Sequence, residues 1–257
     1  MTRTFTTRLS AGALAAGLVA GMVAAVPGAA SAATSGTVTT ASTATTAPVS
    51  NPLCAPALFS AAQQRVEAAL SGRVTALDAL AAAAGNGANH LTTGDRQTLQ
   101  HSITTVELPG IEALEPQAQQ ATTCRQLRTV AHAMVFNFRV YVVMTPQTHL
   151  TIVADDESYV EGVFATLEST ISQAIAGAQA QGKDVTAAQT AFSDLQDQVT
   201  SAQGLTAGQA ATVLAQTPAG APGNWQAFLG ARTNLQNARN DLRTAYHDAQ
   251  QIRADLQ

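Results

Sequence analysis

Apolar residues recur in alternating steps of three and four along the C-terminal segment, which is the spacing of one face of an α-helix. Every position of this series is apolar: Phe228, Ala231, Leu235, Ala238, Leu242, Ala245, Ala249, Ile252 and Leu256. The residues between them are mostly polar or charged, so one narrow stripe is expected to face a partner helix while the rest faces water. A stripe repeated over so many turns predicts coiled-coil-like packing.

A second long helix is predicted from about Gln147 to Gln181, and its apolar positions follow the same spacing. They are Leu150, Val153, Val160, Phe164, Leu167, Ile171, Ala174 and Ala178. Glu157 occupies the one polar slot in this series. Thr145 and Pro146 form a good helix start, with threonine as the cap and proline at the first helical position. At about 1.5 Å per residue the helix is about 50 Å long, which favours an elongated bundle.

The remaining chain after Cys54 also favours helices. The first is predicted over Pro56 to Ala84. The second runs from a cap at Thr92 to Val106 and is followed by a shorter piece to about Ala121. Another begins from a cap at Thr123, and a further one is predicted over Val185 to about Ala215. Pro109 and Gly110 are expected to interrupt the second of them. Because no segment shows sustained alternation with a period of two, the sequence predicts an all-α fold, an elongated bundle of five to six helices.

The segment from Ala131 to Met144 is apolar on nearly all sides, so it is expected to form the central and most buried helix. Its valines also allow a strand over residues 140–143, although the run lacks turns and a partner strand. Arg139 lies within this segment and needs a partner, since an isolated buried charge is costly.

A polar cluster inside the bundle follows as a hypothesis, made of Arg139, Tyr141, His149 and Glu157. It requires that Thr145-Pro146 form a hairpin rather than a gentle kink, which would let Arg139 face Glu157. In the simpler interpretation these residues form a satisfied ion pair that fixes the register of two helices.

The N-terminal segment has the organisation of a secretory signal peptide over residues 1–32. Arg3 and Arg8 precede an apolar run from Ala11 to Val26, and small residues end at Ala32, so Ala33 is the expected new N-terminus. The alternative, a membrane anchor, needs about 18 to 20 apolar residues, more than this run provides. The protein is therefore expected outside the membrane, either extracellular or in the cell-wall zone.

Residues 33–53 are rich in threonine, alanine and serine and carry no charge, so they predict a disordered tether before a helical domain at 54–257. Its hydroxyl groups could also be O-glycosylated. No further segment predicts a membrane span once the leader is cleaved.

Two cysteines, Cys54 and Cys124, follow the leader, and the compartment outside the membrane permits disulfides. A bond between them would close a loop of about 70 residues and stabilise the fold by about 4 kcal/mol. A free thiol and a lipid-modified cysteine are the alternatives, the second of which would have to lie at the cleavage site.

The charge of the chain and the motifs it lacks argue against several classes of partner and activity. The chain has 13 basic and 17 acidic residues, and its arginines form no block, so nucleic acid and anionic membrane surfaces are unexpected partners. The five histidines lack metal-ligand spacing, so no metal and no cofactor are expected. No nucleophile elbow, P-loop or dinucleotide motif is present, which argues against an enzyme.

The segment from Arg139 to Leu150 resembles exported, alanine-rich, all-helical proteins of high-GC Gram-positive bacteria. The resemblance implies that long alanine-rich helices and a C-terminal heptad segment follow, and it brings no catalytic residues and no assigned function.

These observations predict a secreted, non-enzymatic module of the cell envelope or extracellular space with a structural or protein-interaction role, and the C-terminal helix suits a homodimer contact. One alternative is a module that binds a small molecule, haem or a peptide near Tyr141 and His149. Another is a chaperone with helical arms, which would require exposed apolar tips.

Overall fold

The computed structural model describes residues 56–257, except for the side chain of Ala57, and every regular element within them is helical. The predicted all-α class is therefore confirmed. The helices are α1 (Pro56–Gly85), α2 (Thr93–His101), α3 (Leu108–Glu112), α4 (Glu115–Gln119), α5 (Cys124–Phe136), α6 (Thr145–Ala180), α7 (Thr186–Thr206), α8 (Gln209–Leu214) and α9 (Asn224–Asp255). Two π-helical turns, Ser102–Glu107 and Val140–Met144, lead into α3 and α6. The predicted signal peptide, tether and Cys54 lie outside the described residues.

The C-terminal half of α6 forms a three-helix bundle with α7 and α9. Ser201 of α7 donates a hydrogen bond to Asp241 of α9, and Lys183, just before α7, donates to the carbonyl of Leu256 at the end of α9. These pairs make α7 antiparallel to α9. The shared core is built largely from small and branched side chains: Phe164, Ile171, Ile175, Ala178, Val185, Ala188, Leu195, Val199, Ala202, Ala238, Leu242, Ala245 and Ile252.

The apolar stripe predicted on α9 is the face that the bundle buries. Seven of its nine positions are buried, and Ala249 and Leu256 are partly buried against the same core. Alanine at alternate positions allows close helix approach, because its methyl group leaves room for larger side chains opposite. The periodicity alone was thus sufficient to identify the buried face of α9.

Helices α1, α3, α4 and α5 surround a second core together with the two π-helical turns. Its buried members are Leu70, Leu77, Leu80, Ile103, Ile111, Leu114, Ala118, Val130, Met134, Val140 and Met144. The long helix α6 therefore contributes to both cores, since the turn that begins it packs in the second and its C-terminal half in the first.

Two helix boundaries differ from the prediction. Pro109 does not interrupt its helix, because the π-helical turn just before it already departs from the regular i→i−4 pattern, and the helix runs on to Glu112. The helix predicted from Val185 to Ala215 is divided in two, since Gly208 has a φ of 71°, a left-handed conformation that ends α7 before α8 begins.

Gly110, on α3, lies against the ring of Phe138, which follows α5. A Cβ atom at this position would overlap Cε1 of Phe138, so we expect Gly110→Val to displace the ring and lower the free energy of unfolding by about 1 to 2 kcal/mol. Chemical denaturation measures this change. Gly162→Val on α6 is the matched control, because nothing lies within 4 Å of its Cβ position. Equal losses of stability in both variants would contradict the expectation that a side chain at position 110 displaces the Phe138 ring.

Candidate functional site

Helix α5 begins after Thr123, the cap that the sequence predicts, and the structure shows a capping box there. The amide of Gln126 donates to Oγ1 of Thr123 at 3.3 Å, and the amide of Thr123 donates to Oε1 of Gln126 at 3.1 Å. These reciprocal bonds satisfy amides that the first helical turn leaves without partners. Cys124 is the first residue of α5. Its predicted disulfide partner Cys54 lies outside the described residues, so that bond stays a prediction.

Helix α5 ends at Phe136, and residues 137–139 interrupt the helical structure. Arg139 has a φ of 44°, the only positive φ of a non-glycine residue in the described part of the chain. Val140 then starts a π-helical turn that continues into α6 through Pro146. The single helix predicted over Ala131 to Met144 is therefore wrong, and residues 140–143 are helical rather than a strand. The hairpin at Thr145-Pro146 that the polar cluster required is absent, since the helix continues through both residues.

Large apolar side chains lie at the surface on both sides of this break. Val135, Phe136, Tyr141 and Val142 are 42%, 48%, 52% and 52% exposed, and we call these four residues the junction surface. The prediction that this segment is the most buried helix is wrong for them. Their neighbours Val140 and Met144 are buried in the second core, and Val143 is buried in a smaller cluster with Val213, Phe228 and Ala231.

Cationic and aromatic groups stack on the junction surface. The guanidinium carbon of Arg73, on α1, lies 5.1 Å from the ring centre of Tyr141, and that of Arg139 lies 5.2 Å from the ring centre of Phe136. The His132 ring stacks on Phe136 at 4.5 Å between centroids. Such contacts hold flexible arginine side chains against rigid rings, and each contributes about 0.5 to 1 kcal/mol at an exposed site.

The predicted polar cluster does not form. Arg139 donates from Nε to the carbonyl of Phe136 at 3.2 Å, while His149 is exposed on α6. Glu157 is buried and accepts a hydrogen bond from Nε of Arg239 on α9 at 2.6 Å. Because the helix runs unbroken from Val140, Glu157 lies about 27 Å along the axis from Arg139.

The N-terminal half of α6 buries polar side chains that the periodicity did not identify. Nε2 of Gln147 lies 2.9 to 3.2 Å from the carbonyl oxygens of Val213, Leu214 and Gln216, at and just beyond the end of α8. Oγ1 of Thr206 donates to Glu161 at 2.6 Å. Burial raises the pKa of Glu161, the hydrogen bond from Thr206 lowers it, and the charge of Glu157 raises it further.

Two neighbouring aspartates hold the loop between α1 and α2 against α6. The amide of Thr92 donates to Oδ2 of Asp155 at 2.7 Å, and the amide of His90 donates to Oδ1 of Asp156 at 2.8 Å. The His90 ring stacks on Tyr159 with 3.6 Å between centroids. Burial raises the pKa of Asp155 to about 6, the Thr92 amide opposes this shift, and nearby Asp95 adds to it.

One acid is buried without compensation. Glu107, in the first π-helical turn, is 4% exposed, and its Oε2 has no hydrogen-bond partner. Burial raises the pKa of this carboxyl to about 7, because an ionised form loses its hydration there.

Residues 56–257 contain no group of three or more histidine, cysteine, aspartate or glutamate side chains placed to hold a metal ion. A pocket of about 280 Å³ lies between α1 and α4, and another of about 120 Å³ is lined by Met144, Gln147 and neighbours from α2 and the loop after α8. Both are smaller than typical small-molecule sites, and neither Tyr141 nor His149 lines them.

Sequence reasoning selected Tyr141 and Arg139 for the site but missed Phe136, Val142 and Arg73. An apolar run around a whole helix could have pointed to partial exposure, since few helices are enclosed on every side. Arg73 had no such signal, because it is distant in sequence and meets Tyr141 only in the folded protein.

Comparisons with known proteins give no relative: no family model, no curated protein and no solved structure matches the chain. None of the helices in residues 56–257 combines the length and the apolar composition needed to cross a bilayer.

Proposed function

We propose that this chain is an exported, non-enzymatic helical module of the cell envelope or extracellular space that binds a partner protein through the junction surface. The observation that carries the proposal is the exposure of Val135, Phe136, Tyr141 and Val142, four large apolar side chains close together in the chain. Folding gains free energy from burying such side chains, and a run of them left at the surface is typical of an interaction site.

The backbone supports the same location. Arg139 adopts a left-handed conformation that costs a non-glycine residue about 1 to 2 kcal/mol. A π-helical turn follows it directly, and such turns occur frequently at functional sites. Both features lie where the apolar side chains are exposed, which favours a functional over a purely structural reason for the arrangement.

The composition of the surface also suits protein binding. Tyrosine and arginine are enriched among the residues that dominate interface energies, and the stacked pairs of Arg73 with Tyr141 and Arg139 with Phe136 are partly pre-ordered. Pre-ordering reduces the side-chain entropy that binding would otherwise cost. The alternative of a small-molecule or haem site gains no comparable support, because Tyr141 and His149 are exposed and line neither pocket.

Site-specific photo-crosslinking tests the proposal. A benzophenone amino acid replaces Val142 in the full chain, which is exposed to envelope and culture fractions of the producing cells. We expect one discrete crosslinked protein, and we expect Phe136→Ser to remove it because the adjacent apolar contact is lost.

The same photo-reactive residue at Gln236, an exposed position of α9, is the matched control. Equal products at both positions, or no discrete product at position 142, would contradict the proposed role of the junction surface.

A further inference from the structure

The distribution of charge along the chain is uneven around the junction surface. No acidic residue occurs from Pro116 to Ala154, although the chain as a whole has 17 acidic and 13 basic residues. Arg125, Arg128 and Arg139 all lie in this acid-free segment. The segment that carries the exposed apolar side chains is therefore basic, although the chain as a whole is acidic.

Helix α5 presents Arg125 and Arg128 on one exposed side. Arg125, Arg128, His132 and Phe136 follow one another in steps of three and four, and all four are exposed. Leu127, Val130 and Met134 are the buried side chains of the same helix. The exposed face is thus a row about 16 Å long that begins with two arginines and ends at the junction surface.

The arginines along this row have no carboxylate partners within the described chain. Among residues 56–257 the ion pairs are Arg239 with Glu157 and His90 with Asp156. Arg73 and Arg139 donate hydrogen bonds to backbone carbonyls, so their charges are not neutralised by those bonds. Guanidinium groups can therefore pair with an external carboxylate, which they bind in bidentate geometry.

We infer that the partner presents an acidic segment that also carries an aromatic or aliphatic side chain. Its carboxylates pair with Arg125 and Arg128, and its apolar side chain packs on Phe136, Tyr141 and Val142. This inference rests on the proposed function and specifies the chemistry of the partner.

The layout favours a protein segment over a lipid surface or a simple polyanion. A polyanion would use only the arginines and leave the apolar end of the row without a role. A lipid surface is best met by apolar side chains with charges around them, whereas here the charges extend in one direction along a narrow helical face. A chain that carries both kinds of side chain fits the whole row.

The experiment uses the full chain and three probes: a copolymer of glutamate and tyrosine, polyglutamate, and phosphatidylglycerol vesicles. We expect the copolymer to bind more tightly than polyglutamate, and the vesicles not to bind. Arg125→Gln with Arg128→Gln should weaken copolymer binding about tenfold, from roughly threefold for each exposed charge pair. Phe136→Ser should reduce copolymer binding to the level of polyglutamate.

Arg232→Gln with Arg243→Gln is the matched control, because both arginines are exposed on α9. Binding of vesicles but not copolymer would overturn the inference, as would equal effects of the two double variants or equal binding of both polymers. If crosslinking at position 142 persists while the copolymer fails to bind, the acidic partner is wrong and the proposed function stands. If neither crosslinking at position 142 nor copolymer binding is observed, the proposed function and the acidic partner are both wrong.

Discussion

Arg239→Met should lower the free energy of unfolding by about 3 kcal/mol, the largest effect we expect from a single substitution of a charged residue. Glu157 is 6% exposed, and Arg239 is its ion-pair partner at 2.6 Å. Removing the guanidinium leaves a buried carboxylate unpaired, and that penalty exceeds the modest net value of the pair itself. Urea denaturation at neutral pH measures the change.

A double-mutant cycle separates the pair from the packing of its members. Glu157→Gln combined with Arg239→Met should recover part of the loss, because a neutral amide is less costly to bury than an unpaired charge. Arg243→Met, at an exposed position one turn further along α9, should change stability by less than about 0.5 kcal/mol. Additive effects of the two substitutions would show that Glu157 does not depend on Arg239.

Glu107→Gln should raise the free energy of unfolding by about 2 kcal/mol at pH 8 and should change that free energy little at pH 4. The carboxyl is buried with an unpartnered Oε2, and glutamine has nearly the same shape as the protonated acid without its titration. Thermal or urea unfolding across this pH range gives the difference directly.

The sign follows from the raised pKa. The pKa of the Glu107 carboxyl is 4.5 when it is not buried, and burial raises it to about 7 in the folded protein. At pH values between 4.5 and 7 the folded state therefore binds this proton more tightly than the unfolded state does. Stability therefore falls as the pH rises from 4.5 through 7, and the full loss is present above pH 7. Asp155, with its pKa raised to about 6, contributes in the same direction and should leave a residual slope in the variant.

Glu112→Gln is the control for this titration, since Glu112 is exposed on α3 one turn beyond the π-helical segment. Its stability profile with pH should match that of the unchanged protein. A profile of Glu107→Gln that also matches would mean that Glu107 is hydrated and ionised in the folded state, contrary to its burial.

Local patterns in the sequence predicted correctly those features that depend on residues close together within one helix. The stripe on α9 identified its buried face, and Thr123 identified the start of α5. Both depend on interactions within a few residues, since side-chain periodicity and capping are properties of one helix.

The same signals failed along the N-terminal half of α6. Leu150, Val153 and Val160 form the apolar stripe but are only partly buried, while Asp155 and Glu161 are buried. Their partners come from distant segments, such as Thr92 for Asp155 and Thr206 for Glu161. A polar side chain is buried readily when a donor meets it, and the identity of that donor is not encoded nearby in sequence.

The candidate site depended on a backbone conformation that residue type did not suggest. Arginine rarely adopts a positive φ, so the sequence offered no reason to end a helix just before Arg139. The helix is interrupted there and then continues through Pro146, so that Phe136 and Tyr141 lie at the surface and Arg139 is far from Glu157. The hypothesis of an interior polar cluster was wrong for this reason.

By itself the sequence determined the all-α class, the positions of the long helices and the buried face of α9, because periodicity, caps and the absence of strand patterns act over short distances. Only the tertiary structure decided which polar groups of α6 are satisfied, that Glu107 is left unpaired, and that Arg73 meets Tyr141 at the surface. Those outcomes depend on contacts between segments far apart in the chain, and they are fixed when the helices pack.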